Sequence, residues 1–313
     1  MHAEQDYVKF FLHRNQLQQF ENINEITKNV LHDERISTII TELQDWPCYP
    51  IKSHKTAQHP LHKLAFIAEL GFNKHDPQIE NILNRILENQ NEDGPFNILI
   101  NIPPHFGGTG KDQLTWVLSD APLLAYSAIK LNAGEVSPQI RRAVDYIAGL
   151  VRENGWPCAA DKVLGKFKGP GRRTDPCPYA NLLSLKMLAL TEKNEYTHAK
   201  EAGIQTLLDL WERRKETKPF LFAMGTDFKK LKAPLIWYDI VNVVDTLSCF
   251  ETTHRESRFL EMWQIIKEKE LPEGGFIPES VWMKWKGWDF TQKKVPSEFL
   301  NALIFRIENR LKI

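Results

Sequence analysis

A turn rich in glycine, proline and aromatic residues recurs five times along the chain, each time followed by an irregular loop and then a helix opened by proline. The turns are Trp46-Pro47-Cys48, Asp93-Gly94-Pro95-Phe96, Gly155-Trp156-Pro157-Cys158, Lys218-Pro219-Phe220 and Gly274-Gly275-Phe276. The helices are expected to open at Pro60, Pro122, Pro176, Pro234 and Pro296, because proline lacks the N–H that would be unpaired in a first turn anyway. Successive openings lie roughly 55 to 62 residues apart, which is one helix hairpin plus a loop per repeat.

Two helix classes alternate. The segments after the prolines are apolar on most sides, as in Leu123-Leu124-Ala125-Tyr126, Leu182-Leu183-Ser184-Leu185 and Leu235-Ile236-Trp237-Tyr238, and a helix apolar all round is buried. The preceding helices are amphipathic. Ile79, Ile82, Leu83, Ile86 and Leu87 recur at three and four, with Glu80, Asn84, Arg85 and Glu88 on the other face. The pattern predicts an inner ring of buried helices wrapped by an outer ring. The stretch from about Tyr7 to Leu31 supplies one more pair. The expected fold is all-α, an α/α toroid of five to six helix hairpins forming a single domain over residues 1–313. An open solenoid would show the same local pattern.

Composition bounds the function. Forty basic and forty acidic residues cancel, so no global field favours nucleic acid or an anionic membrane. No apolar run approaches the length of a transmembrane helix. The opening MHAEQDYVKF lacks a basic leader and an apolar core, and Cys48, Cys158, Cys177 and Cys249 form no C-x-x-C pair. Thiols and a cytoplasmic location are the expectation.

The most unusual stretch runs from Asp161 to Asn181. It is glycine-rich, carries Lys162, Lys166, Lys168, Arg172 and Arg173, and leads straight into a helix start. Helix N-terminal N–H groups beside Arg and Lys make an anion site. The cradle reading and that of a solvated basic loop are both open. Lys218, Lys229, Lys230 and Lys232 occupy the equivalent loop one repeat later. Asp175 and Cys177, two apart at a helix start, form either half a metal site or a cap and a buried thiol.

The repeat period and turn chemistry resemble the superfamily of protein prenyltransferases and terpene cyclases over most of the chain. The segment Gly171-Arg172-Arg173-Thr174-Asp175-Pro176-Cys177-Pro178-Tyr179 is similar to the prenyltransferase catalytic subunit, with its basic Gly-Arg run followed by Asp-x-Cys and Tyr. The resemblance implies Zn²⁺ held by Asp175 and Cys177, with Asp239 standing where the family has a histidine after a tyrosine. It further implies an isoprenoid or other small apolar substrate, a diphosphate or other anionic head group, and the possibility of a second subunit. His59, His62 and His105 are alternative ligands near inner-helix starts. The Asp-x-Asp-Asp acid motif of the cyclase branch is absent from the sequence. The candidate residues are Asp239, Tyr179 and Tyr238 for chemistry, and Lys166, Lys168, Arg172, Arg173, Asn181, Trp237 and Asn242 for substrate.

Two other readings fit the same residues. One is a toroid that binds a ligand or partner without catalysis. The other is a carbohydrate-active hydrolase, with Asp239 paired to Asp175 or Asp120 as acid and base. Glu298 also falls near an inner-helix start. Trp282, Trp285 and Trp288 form either an aromatic wall or a loop packed onto the repeats. The glycines from Gly107 to Lys111 lack the spacing and preceding strand of a phosphate loop, and the connection from about Asn97 to Asp120 has the length of a lid.

Overall fold

The computed structural model describes residues 1–53, 55–167, 172, 174–219 and 221–312. Lys168 and Arg173, both expected in an anion site, lie outside the described residues. The chain is predominantly helical. Twelve α-helices and one two-stranded sheet are present among the described residues. The helices are α1 (Asp6–Arg14), α2 (Ile23–His32), α3 (Glu34–Leu43), α4 (Pro60–Leu70), α5 (Ile79–Glu88), α6 (Ala121–Leu131), α7 (Pro138–Gly149), α8 (Pro178–Leu188), α9 (Thr197–Glu212), α10 (Ile240–Leu247), α11 (Ser257–Lys267) and α12 (Glu298–Leu311). None is long and apolar enough to cross a membrane among the described residues.

The chain divides into two compact units. The first comprises Met1–Ser37 and Leu208–Ile313, the second Thr38–Leu207. In the second unit α4 packs on α6 and α6 on α8, while α5 and α7 flank them. The difference between the two helix classes is plain in their burial. Every residue of α8 from Pro178 to Leu188 is buried. In contrast, α5 buries only Ile79, Ile82, Leu83 and Ile86. Apolar burial of this kind contributes about 25 cal/mol per Å² removed from water, so the stripe on α5 suffices to dock it while its polar face stays wet. In the first unit α1 packs on α2 and α12, and α10 packs on α11 and α12. The expected N-terminal hairpin is therefore present as α1 and α2.

Two of the five proline-opened helices begin as the sequence predicts. Pro60 is the first residue of α4 and Pro122 the second of α6. The other three start later. Pro176 stands opposite Pro157 in an antiparallel bridge, and the Cys177 N–H is committed to the Trp156 carbonyl at 2.8 Å, so α8 opens at Pro178. Ser297, not Pro296, caps α12, its hydroxyl accepting the Leu300 N–H at 3.1 Å.

The largest departure is at Pro234. Leu235-Ile236-Trp237-Tyr238 is not helical, and α10 opens only at Ile240. The Asp239 side chain caps that start, accepting the Asn242 N–H at 3.1 Å. A side-chain cap satisfies one of the orphan donors that proline merely avoids, and here it decides where the helix begins.

The long connection after α5 is not structureless. Strands β1 (Ile98–Ile100) and β2 (Gln113–Thr115) pair antiparallel, Ile98 opposite Thr115 and Ile100 opposite Gln113. Trp285 and Trp288 are buried and Trp282 half-buried, so the tryptophan run packs down rather than forming an exposed wall.

Candidate active site around Asp239

The first turns of α8, α10 and α12 each carry an asparagine: Asn181, Asn242 and Asn301. In the second unit the Asn181 amide clamps the Gly155-Trp156 turn. Its Oδ1 accepts the Trp156 N–H at 3.0 Å, and its Nδ2 donates to the Trp156 and Cys177 carbonyls at 2.9 and 2.8 Å. In the first unit Asn301 does the same work at the Gly275-Phe276 turn, Oδ1 accepting the Phe276 N–H at 2.8 Å. Only glycine fits these turns. A Cβ at Gly155, where φ is +90°, would lie 2.3 Å from Asn181 Oδ1 and 2.4 Å from Thr206 Oγ1. Asn181 was expected to bind substrate. Its polar atoms are instead consumed by the backbone of its own repeat.

Asn242 departs from this pattern. Its Nδ2 donates to the Trp237 carbonyl at 2.9 Å, but its Oδ1, fully buried, has no hydrogen-bond partner among the described residues. Two further buried oxygens in the same condition share its helix face, Asp239 Oδ2 at the cap and Thr246 Oγ1 one turn beyond. Spacings of three and four residues place all three on one stripe of α10. Buried polar atoms are almost always paired with protein or ordered water, so this row of three on one stripe has room for hydrogen bonds to a ligand or a water.

Asp239 is the group that titrates in this row. It is 1% exposed, and burial pushes its carboxyl up to about 7. The N–H groups of Asn242 and Val241 and the Lys232 ammonium oppose that rise, and Asp227 adds to it. Lys232 is itself buried, pairs with Asp227 at 3.2 Å, and lies 5.8 Å from the Trp282 ring. Around the cap the walls are aromatic. Trp237 stacks on Phe222 at 5.2 Å, and Tyr238 sits edge-on to Phe222 at 5.6 Å and against Phe228 at 5.5 Å. Trp237 and Tyr238 thus stay beside Asp239 although the segment holding them is not helical.

The remaining expected residues are placed otherwise. Tyr179 is buried in the first turn of α8. Lys166 and Arg172 are exposed, and their backbone N–H groups are engaged, that of Lys166 with Gly107 O at 3.0 Å and that of Arg172 with Asp175 Oδ2 at 3.1 Å. Asp175 is exposed and closes that turn; it does not cap α8, whose N-cap is Cys177. The neighbouring Cys177 thiol, burial and the Asp120 carboxylate push the Cys158 thiol strongly upward. His59 caps α4, Nδ1 accepting the Leu61 N–H at 3.2 Å while Nε2 meets the Tyr49 carbonyl at 3.0 Å, so neither nitrogen is left for a metal. Glu298 Oε2 accepts the N–H groups of Glu4 and Gln5, both at 2.9 Å, ahead of α1.

The expected zinc set was Asp175, Cys177 and Asp239. A catalytic zinc takes three protein ligands. Among the described residues no three His, Cys, Asp or Glu side chains converge to hold a metal ion. The described donors thus do not make up the three ligands that the group needs.

No family model matches the chain, and no curated protein matches it. Solved structures similar to it include a protein from Actinoplanes, 10% identical with a TM-score of 0.45, covering 98% of this chain and 89% of that one. A polysaccharide lyase is 11% identical with a TM-score of 0.44, covering 100% of this chain and 91% of its own. The type II terpene cyclase MstE from Scytonema, in a variant bound to geranylgeranyl dihydroxybenzoate, is 11% identical with a TM-score of 0.43, covering 98% of this chain and 86% of its own.

Proposed function

We propose that the chain is an enzyme of prenyltransferase and terpene cyclase type, in which Asp239 exchanges a proton with a largely apolar, isoprenoid-like substrate. The observation that carries this reading is the buried Asp239 carboxyl, with Oδ2 unpartnered among the described residues and the group poised near pH 7. A general acid or base works best when its pKa lies near the operating pH, and burial is how proteins raise a carboxyl to that range. Asn242 N–H holds Oδ1 and fixes the carboxyl plane, which leaves Oδ2 to meet the reacting atom. Asn242 Oδ1 and Thr246 Oγ1 extend the polar stripe and orient the substrate's polar end. The rings of Phe222, Phe228, Trp237 and Tyr238 suit an apolar substrate and a cationic transition state, since an aromatic face attracts positive charge. The Lys232 ammonium acts electrostatically on the carboxyl, and an anionic head group would compete with Asp227 for it.

The test is turnover. Purified protein is incubated with prenyl alcohols, prenyl diphosphates and linear polyenes, and products are read by mass spectrometry. Conversion that Asp239→Asn abolishes, with the variant folded by circular dichroism, supports the reading. Conversion that survives Asp239→Asn, or no conversion across the panel, removes it.

A further inference from the structure

Cys158 and Cys177 are 19 positions apart in sequence, yet the fold sets the two thiols beside each other. The cause is a short antiparallel pairing. Pro157 faces Pro176, the Cys177 N–H binds the Trp156 carbonyl at 2.8 Å, and Asn181 anchors Trp156 from α8. In such a pairing Cys158 and Cys177 project to the same face as diagonal neighbours. A second strap holds the far side, where the Leu118 N–H binds the Ala159 carbonyl at 2.8 Å and Val117 pairs with Ala160. Both cysteines are thiols, both are half-buried, and neither is used by the chemistry proposed for Asp239 in the other unit.

The two thiols are not equivalent. Cys177 is the N-cap residue of the eleven-residue helix α8. A helix N-terminus favours the thiolate, which places Cys177 as the attacking sulfur.

From this pairing we infer that Cys158 and Cys177 form a redox-active dithiol, Cys177 attacking a low-molecular-weight disulfide and Cys158 resolving the adduct. The Cys177 sulfur forms a bond to one sulfur of the disulfide RSSR, the S–S bond of RSSR breaks, and RS⁻ leaves. Cys158 then gives up its proton to solvent or to the departed RS⁻. Its sulfur displaces the second RS⁻ from Cys177, which also takes a proton. The balance is two thiols plus RSSR giving one intramolecular disulfide plus two RSH, with RSSR reduced and the protein oxidised. Diagonal neighbours lie near the upper end of the Cα separation that a disulfide spans, so closing the ~2.0 Å bond turns both side chains and draws the two short strands together. The product joins the two ends of the stretch that carries Lys162, Lys166, Lys168, Arg172 and Arg173. Oxidation therefore staples the basic segment at its base, directly ahead of α8.

The experiment uses the whole chain. Native protein is equilibrated with oxidised and reduced glutathione in varying ratio, blocked with N-ethylmaleimide, then unfolded and digested with trypsin. The expected product at the oxidised end is a linked pair of peptides, Glu153–Lys162 with Thr174–Lys186, replaced at the reduced end by two maleimide adducts. Cys158→Ser removes the resolving sulfur and traps glutathione on Cys177. Cys177→Ser leaves Cys158 without an adduct. Circular dichroism checks that both serine variants are folded, and the wild-type titration stands without them. Wild-type protein that keeps both thiols, that stops at glutathione adducts, or that links either residue to Cys48 or Cys249 overturns the inference. So does a glutathione adduct that accumulates on Cys158 in the Cys177→Ser protein and not on Cys177 in the Cys158→Ser protein, since the roles assigned to the two sulfurs would be reversed.

Discussion

Lys186 on α8 and Glu69 on α4 meet at 3.0 Å inside the second unit, with their side chains 8% and 7% exposed. The Tyr126 hydroxyl of α6 donates to the same Glu69 Oε2 at 2.9 Å, and the Lys186 ammonium lies 5.1 Å from the Tyr126 ring centroid. One carboxylate oxygen thus ties three successive inner helices. The first unit has its counterpart on α10 and α12, where Arg306 holds Asp245 through two bonds of 3.0 and 2.8 Å and Arg310 adds a third at 2.9 Å.

Removing one partner of such a pair leaves a buried charge exposed to low dielectric. Lys186→Met is expected to destabilise the protein by roughly 3–5 kcal/mol in urea unfolding. The double variant Lys186→Met with Glu69→Gln should recover most of that loss, because no charge is then left alone. Equal destabilisation in the single and double variants would show that the packing, not the ion pair, dominates.

Gly155→Ala is expected to cost at least about 2 kcal/mol, since the new Cβ meets Asn181 Oδ1 while φ stays in the left-handed region. Asn301→Ala should cost roughly 1–3 kcal/mol through the buried Phe276 N–H that it orphans. Both losses are read from urea midpoints at constant m-value.

Asn242→Ala orphans no N–H of its turn and removes only the bond to the Trp237 carbonyl. Its stability cost is therefore expected to be smaller than that of Asn181→Ala by about 1 kcal/mol. Its effect on substrate binding should be the larger of the two. Similar stability losses, with no difference in binding, would place Asn242 in the same structural class as Asn181.

The raised Asp239 carboxyl sets a pH dependence. The folded state holds its proton up to about 7, whereas the unfolded chain releases it near the ordinary aspartate value of 3.8. Between those values the folded state binds more protons, so stability falls as pH rises through that window and levels off above it. The contribution is fully present below the unfolded value and lost above the folded one. Asp239→Asn should flatten this limb. Chemical denaturation at pH 4, 5, 6, 7 and 8 compares the two slopes, and parallel slopes would show that Asp239 ionises normally.

Much of the fold is legible in the sequence because its signals are local. The apolar period of α5 and the all-round apolarity of α6 and α8 each lie within one helix, and Pro60 and Pro122 mark real starts. The candidate site is less so. Asp239 draws notice as a carboxylate among apolar residues, but its role as a cap depends on a backbone that turns away from helix between Leu235 and Tyr238. Asn181 reads as a polar residue on a buried helix, which suits a cavity. Its true partner is a turn 25 positions earlier, and nothing near Asn181 announces it. Cys158 escapes notice for the same reason: its neighbour Cys177 is distant in sequence and is absorbed into a metal pattern with Asp175 that no group of three described side chains completes.

The asparagine clamp has a consequence for how a repeated architecture acquires something new. A device present in several copies is under no obligation to do the same work in each. At α8 and α12 the amide oxygen stitches a helix to the turn before it. At α10 that stitch is undone on one side, and the released atom stands beside an acid and a hydroxyl on the same helix face. The spare part and the innovation are the same residue. An engineer seeking a second reactive centre in this chain would begin at Asn181 or Asn301, loosening the turn rather than carving a pocket.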